Sequence, residues 1–162
     1  MIIGHDGDTV GQQAFLRIDP VSRVAACLLT NSPQAEPLMR RLFAEIFAEH
    51  ARVTMPAEPG PAAGAADADL QQFIGRYERT SRRYDVTVRD GRLHAVSSVT
   101  GDLAALTDHE EEEVDLYPAD SSGERYVCRR HDSQPWAGIA FGRLSNGTPY
   151  LFTSGRVTPR AG

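Results

Sequence analysis

Two kinds of hydrophobic pattern follow one another along the chain. Gln13–Asp19 (QAFLRID) mixes polar and apolar residues, whereas Val24–Leu29 (VAACLL) is apolar throughout. A turn at Pro20-Val21-Ser22 separates them, so they predict two antiparallel strands, the second covered on both faces. Met1-Ile2-Ile3 reads as the end of an earlier strand, and Gly4-His5-Asp6-Gly7-Asp8-Thr9 as a small-residue corner. Gly4, Gly7 and Gly11 there allow the backbone to bend or to approach a bound molecule. From Leu38 the period changes: Leu38, Met39, Leu42, Phe43, Ile46 and Phe47 share one helical stripe, opposite Arg40, Arg41, Glu45 and Glu49. Ser32 is the expected cap, with Pro33 at the first helical position and Pro37 delaying the regular part.

Residues 55–69 (MPAEPGPAAGAADAD) are rich in Pro, Ala and Gly, with nothing that packs, and predict a linker between domains at 1–54 and 70–162. The second domain starts with Leu70–Tyr77, a short helical turn leading into a strand. Tyr84, Val86 and Val88 then alternate on one strand face, and Asp90-Gly91 forms a hairpin turn. Arg92–Val99, Ala104–Leu106, Val114–Tyr117, Arg125–Arg130, Ala137–Phe141 and Tyr150–Thr153 are further short extended segments, with a turn at Ser145-Asn146-Gly147. Short strands at this spacing predict a closed or nearly closed antiparallel β-barrel, or a sandwich. The expected class is α+β: a three-stranded antiparallel sheet with a helix, then an antiparallel barrel.

Composition narrows the function. Over 162 residues, 41% are hydrophobic and 24% charged, which describes a globular protein rather than a disordered one. The net charge of −5 offers no basic footprint for nucleic acid, and no segment is apolar for long enough to span a membrane. All 17 basic residues are arginine. The absence of lysine excludes a Ser-x-x-Lys pair, a Lys-Thr-Gly motif, a Walker A loop and Schiff-base chemistry from this chain by itself. Cys27 and Cys128 fall in different domains and form no Cys-x-x-Cys pair, so neither a disulfide framework nor a zinc site is expected; Cys27 reads as a small buried hydrophobe. No signal peptide is apparent, which makes the cytoplasm the default expectation.

The run GHDGDT…FLRIDP…VAACLLTN followed by a helix resembles the C-terminal end of the catalytic domain of serine β-lactamase-like hydrolases, the group of class C β-lactamases, penicillin-binding proteins, D-aminopeptidases and related esterases. The resemblance implies that His5-Asp6-Gly7 is the His-x-Gly form of the third motif. His5 would then stand beside the nucleophile and contact the substrate. Gly7 completes the motif, and the backbone N–H of Asp8 would be one oxyanion-hole donor. Asp6 should point to the opposite strand face. The later order Leu-x-x-Phe-Ile-Gly-x-Tyr, a DG hairpin, Leu-Tyr-Pro and a terminal Gly-Arg-Val-x-Pro-Arg resembles the small lipocalin-like barrel appended to many members.

What is missing matters equally. Ser22, Ser32, Ser97, Ser98 and Ser154 are the candidate nucleophiles, but none is followed by lysine three residues on, none lies in Gly-x-Ser-x-Gly, and there is no Tyr-x-Asn. Glu110–Glu113 with Asp108 and His109 invites a metal reading. Adjacent side chains on a strand diverge, so a solvated loop or edge strand is favoured. Trp136, Phe141, Tyr150 and Phe152 could line a ligand pocket, with barrel core the favoured alternative. Arg79, Arg82 and Arg83, near Arg76, read as a solvated face. No cofactor or metal is expected.

Three readings follow. The chain is the C-terminal portion of a serine hydrolase, inactive alone; or it is one subunit of a split hydrolase, whose partner chain carries the missing motifs; or its barrel is a small-ligand-binding or oligomerisation module. A half-covered first domain would also favour association of copies.

Overall fold

Alternation of side chains builds the first unit. The computed structural model describes residues 1–9, 11–32, 34–63, 69–106, 111–132 and 134–162. The chain divides into two compact units, Met1–Ala57 and Glu58–Gly162. In the first, β1 (Ile3–Thr9), β2 (Gln12–Asp19) and β3 (Val24–Thr30) form an antiparallel sheet in that order. Helix α1 (Glu36–Ile46) lays its stripe on one face: Met39, Phe43 and the following Phe47 join Phe15 and Ala26 in a small core. The β2–β3 turn is closed by Asp19, whose buried carboxylate accepts the Ser22 N–H at 3.1 Å.

Several expectations are corrected. The Gly4–Thr9 stretch is strand rather than corner, and the bend falls after it, where Gly11 takes φ +74. β3 is covered on one face only: Ala26 is buried, while Ala25, Cys27 and Leu29 are exposed. Cys27 is therefore not a buried hydrophobe. Ser32 does not cap α1. Ala35 is the N-cap, held by its own N–H donating to Gln13 Oε1 at 3.0 Å, and Ser32 Oγ instead accepts from Gln34 N–H at 3.3 Å. Pro33 lies outside the described residues. The helix runs into a π-helical turn at Phe47–Ala51, which ends where Arg52 adopts a left-handed conformation (φ 54).

In the second unit a 3₁₀ turn, Leu70–Phe73, leads into β4 (Gly75–Arg79), β5 (Arg82–Arg89) and β6 (Arg92–Val99). Gly101–Leu106 forms another 3₁₀ turn, not a strand. Then come β7 (Glu112–Asp115), β8 (Tyr117–Pro118), β9 (Arg125–Cys128), β10 (Ala137–Arg143), β11 (Pro149–Thr153) and β12 (Arg156–Pro159). They make a four-stranded sheet, β4-β5-β6-β7, and a five-stranded one, β12-β11-β10-β9-β8. Tyr77, Val86, Leu93 and Leu116 share one core with Tyr126, Ile139, Phe141 and Leu151. The β5–β6 turn places Asp90 and Gly91 at φ 52 and 74, the geometry a two-residue hairpin needs.

The expected α+β class with a closed lipocalin-like barrel is overturned. The chain is mostly β, 47% strand and 17% helical, in three open sheets. Leu116 breaks the path from β7 to a β8 of two residues. At the other side β4 and β12 meet at a single bridge, Tyr77 to Arg160, with Ala161 N–H on Arg76 O at 2.8 Å. Pro118 and Pro159 have no N–H to extend either edge. Within the segment read as a linker, Met55 packs on the first core, and Ala62 N–H bonds Pro118 O at 2.8 Å.

Arg160 secures the last strand. Its guanidinium donates to Gln72 O at 3.3 Å and Ile74 O at 3.4 Å, and its stem lies across Gly75. A Cβ on Gly75 would stand 2.8 Å from Arg160 Cδ, on a backbone at φ +149. Gly75→Ala should therefore destabilise the second unit by about 1–3 kcal/mol. In urea denaturation followed by the fluorescence of the sole tryptophan, Trp136, adding Arg160→Ala should recover the steric part of that loss and leave the backbone part. Strict additivity of the two substitutions would refute the contact.

Candidate active-site strand and the clefts of the second unit

Register decides where His5 faces. His5 pairs with Leu16, and Leu16 with Cys27, so the three share one sheet face. The same alternation puts Ile3, Ile18, Ala25 and Leu29 beside them, with Ile3 at 47% and Leu29 at 74% exposure. This is the face that α1 leaves uncovered. Asp6 lies on the other face, in a two-pronged ion pair with Arg17, and its hydrogen bond is the main cause that raises the Arg17 pKa.

Gly4 has a structural reason. A Cβ there would sit 2.1 Å from Leu16 O and 2.8 Å from Arg17 Cδ, because Arg17 crosses it to reach Asp6. The space is filled by the chain itself, not reserved for a bound molecule. Gly7 is different: an added Cβ would meet only Ala14 Cβ, at an ordinary 3.8 Å. His5, Gly7 and Asp8 are all exposed on β1, an edge strand, and no partner of His5 occurs among the described residues. Among the described residues no serine is paired with it. Ser22 and Ser32 serve turns, while Ser97 and Ser98 donate to Glu112 (3.4 Å) and Glu111 (3.0 Å).

Of the acidic run, Glu112 and Glu113 lie on the edge strand β7. Glu112 holds Arg130 at 2.5 Å, and Glu113 lies 3.5 Å from Arg89. Asp108, His109 and Glu110 lie outside the described residues. Among the described residues no three His, Cys, Asp or Glu side chains are placed to share a metal ion, and no helix is long and apolar enough to cross a membrane. In the arginine cluster, Arg76 and Arg83 both pair with Asp85 (2.8 and 3.2 Å). Cys128 is buried, and burial pushes its thiol up to about 11, leaving it unreactive at neutral pH.

Of the four aromatics expected in the core, Phe141 is there, Phe152 is exposed and Trp136 walls a surface cleft of about 300 Å³. Arg129 stacks on Trp136 at 4.3 Å, and Tyr117 meets the ring edge-to-face at 5.5 Å. The inner wall is His94, 5% exposed, with Nδ1 2.9 Å from Asp115 Oδ1 and Nε2 3.4 Å from Glu113. His94 and Asp115 were missed in the sequence. Alternation from the Asp90-Gly91 turn assigns His94 to the outer face with Val96 and Ser98. Its carboxylate partners come from a strand beyond a long connection, and no local pattern reveals them. A second cleft, of about 370 Å³, opens over Phe73, Tyr77 and Phe141.

No protein-family model matches the sequence. Over 76 residues, 47% of this chain, it is 42% identical to penicillin-binding protein 4 of Amycolatopsis lactamdurans, spanning 20% of that protein's length. Over that stretch the chain is penicillin-binding-protein-like. Its fold is shared with a crystal structure of SurE with D-Leu, at a TM-score of 0.61 and 24% identity over 99% of this chain and 35% of that one. A second SurE crystal structure gives 0.57 over a similar span.

The His94 bond, opposed by burial and aided by Arg89 and Arg92, holds the Asp115 carboxyl below its usual range. The stability it contributes is present above the unfolded carboxylate value of about 3.9, and is lost as pH falls through the lower folded value. The stability difference between wild type and Asp115→Asn should accordingly close as pH falls below about 4. Acid-series urea denaturation measures it, and a pH-independent difference would contradict the assignment.

Proposed function

We propose that this chain supplies the third-motif strand and one oxyanion donor to a serine hydrolase of the β-lactamase and penicillin-binding type, and that it is inactive alone. The observation that carries this reading is the face His5 occupies: apolar, flat and left open by α1. A sheet face of this composition demands a covering layer. In the proposed enzyme, that layer brings a serine to the side of His5. The chain spans a fifth of penicillin-binding protein 4 and about a third of SurE, so length for such a layer exists in proteins it resembles.

The division of labour follows from what the chain has and lacks. A lysine-free chain holds no Ser-x-x-Lys pair, so nucleophile and activating base belong to the remainder, in the same polypeptide or a partner. When that serine attacks a carbonyl, negative charge develops on the carbonyl oxygen. The Asp8 N–H and the N–H of the nucleophile would receive it, a contribution worth about 10²–10³ in rate per donor. His5 would contact the carbonyl or carboxylate side of the substrate and pass a proton toward the leaving group, and Gly7 leaves the strand unencumbered there.

Purified alone, the chain should turn over neither a chromogenic β-lactam nor p-nitrophenyl esters. Activity should appear on addition of, or fusion to, a segment carrying Ser-x-x-Lys and Tyr-x-Asn. His5→Ala in the reconstituted enzyme should lower kcat about 10²-fold, the scale of a lost proton-transfer group. Turnover by the isolated chain, or full activity of the His5→Ala enzyme, would sink the reading.

A further inference from the structure

We infer that the cleft over Phe141 in the second unit binds a small zwitterion with an apolar body, a molecule of the amino-acid class. The site is independent of His5 and of the proposed hydrolase. Its volume of about 370 Å³ falls within the range of small-molecule pockets. The floor is aromatic: Phe73 and Phe141 stack at 4.6 Å, and Tyr77 meets Phe141 at 5.8 Å. The Tyr77 hydroxyl is committed to Phe73 O at 2.8 Å, so the floor presents carbon to an occupant.

Two opposite charges stand at the mouth. Arg143 follows Phe141 by two residues on β10 and so shares its inward face. Glu124 extends β9 opposite Phe141, whose N–H donates to Glu124 O at 2.9 Å. Both side chains are exposed, and neither has an ion-pair partner among the described residues. The Glu124 carboxylate has no hydrogen bond or ion pair among the described residues, and the Arg143 guanidinium reaches only Gly147 O at 3.1 Å. They do not pair with each other. In the His94 cleft, by contrast, Arg89, Arg129 and Arg130 already hold Asp115, Asp132 and Glu112.

An unpaired carboxylate and an unpaired guanidinium beside one aromatic floor define complementary chemistry. An ammonium suits Glu124, a carboxylate suits the planar fork of Arg143, and an apolar body covers the rings. Tyr150 completes the rim by lying flat over Gly142, where a Cβ would come within 2.6 Å of its ring.

Isothermal titration of the full chain with phenylalanine, N-acetylphenylalanine and phenylalaninamide tests each charge separately. Phenylalanine should bind saturably, and each derivative about tenfold more weakly, the scale of one charge-assisted hydrogen bond. Glu124→Gln should abolish the preference over the acetylated probe, and Arg143→Gln the preference over the amide. Trp136 fluorescence verifies that both variants are folded. Absence of saturation, equal binding of the three probes, or wild-type selectivity in both variants would overturn the site. None of these results bears on whether His5 acts in a hydrolase.

Discussion

One helix cannot cover two faces of a sheet, and the first unit depends on that constraint. With residues alternating across β1–β3, Phe15, Ala26 and Leu28 fall toward α1, while Ile3, Leu16, Ile18, Cys27 and Leu29 fall away from it. Both sets are apolar, although only one is covered. In a self-sufficient antiparallel sheet the solvated face is polar. His5 belongs to the uncovered set, which places the one side chain with proton-transfer chemistry where a covering layer would meet it. Asp6, a single residue on, is committed to Arg17 and takes no part in that face.

The glycines show how a motif can mislead. Gly4 looks like room for a ligand, yet its missing side chain accommodates Arg17 and the Leu16 carbonyl. Gly75 does the same for Arg160, and Gly142 for Tyr150. In each case a long or planar side chain crosses the backbone of a neighbouring segment, and any Cβ would block it. Gly7 has no such neighbour within 3.4 Å, so of the two motif glycines it is the one the fold itself does not require.

Much of the local structure was legible because local rules set it: the stripe from Leu38 to Phe47, the Asp90-Gly91 turn, the alternation of Tyr84, Val86 and Val88. What failed depends on contacts distant in sequence. β3 reads as buried on both faces because VAACLL is apolar, but composition cannot say whether a second layer is present. Barrel closure required β4 to pair with β12 and β7 with β8 along their lengths, and single residues decide that: Leu116 at one corner, Pro118 and Pro159 at the edges. Likewise His94 is separated by 21 positions from Asp115, and Trp136 sits by Tyr117 only because β8 and β10 flank β9.

Charge pairing separates the two clefts of the second unit more sharply than their size does. Around His94, carboxylates and guanidinia are matched on adjacent strands and loops. The exposed pairs contribute little stability individually, but each joins opposite charges on neighbouring segments. Over Phe141 the matching stops, and Glu124 and Arg143 stay apart at the end of a sheet whose inward face is otherwise apolar. Both side chains are exposed, so solvent or an occupant satisfies them. A solvated strand end would discriminate poorly between ligand charges, whereas a site holding one charge of each sign above aromatic rings discriminates by construction.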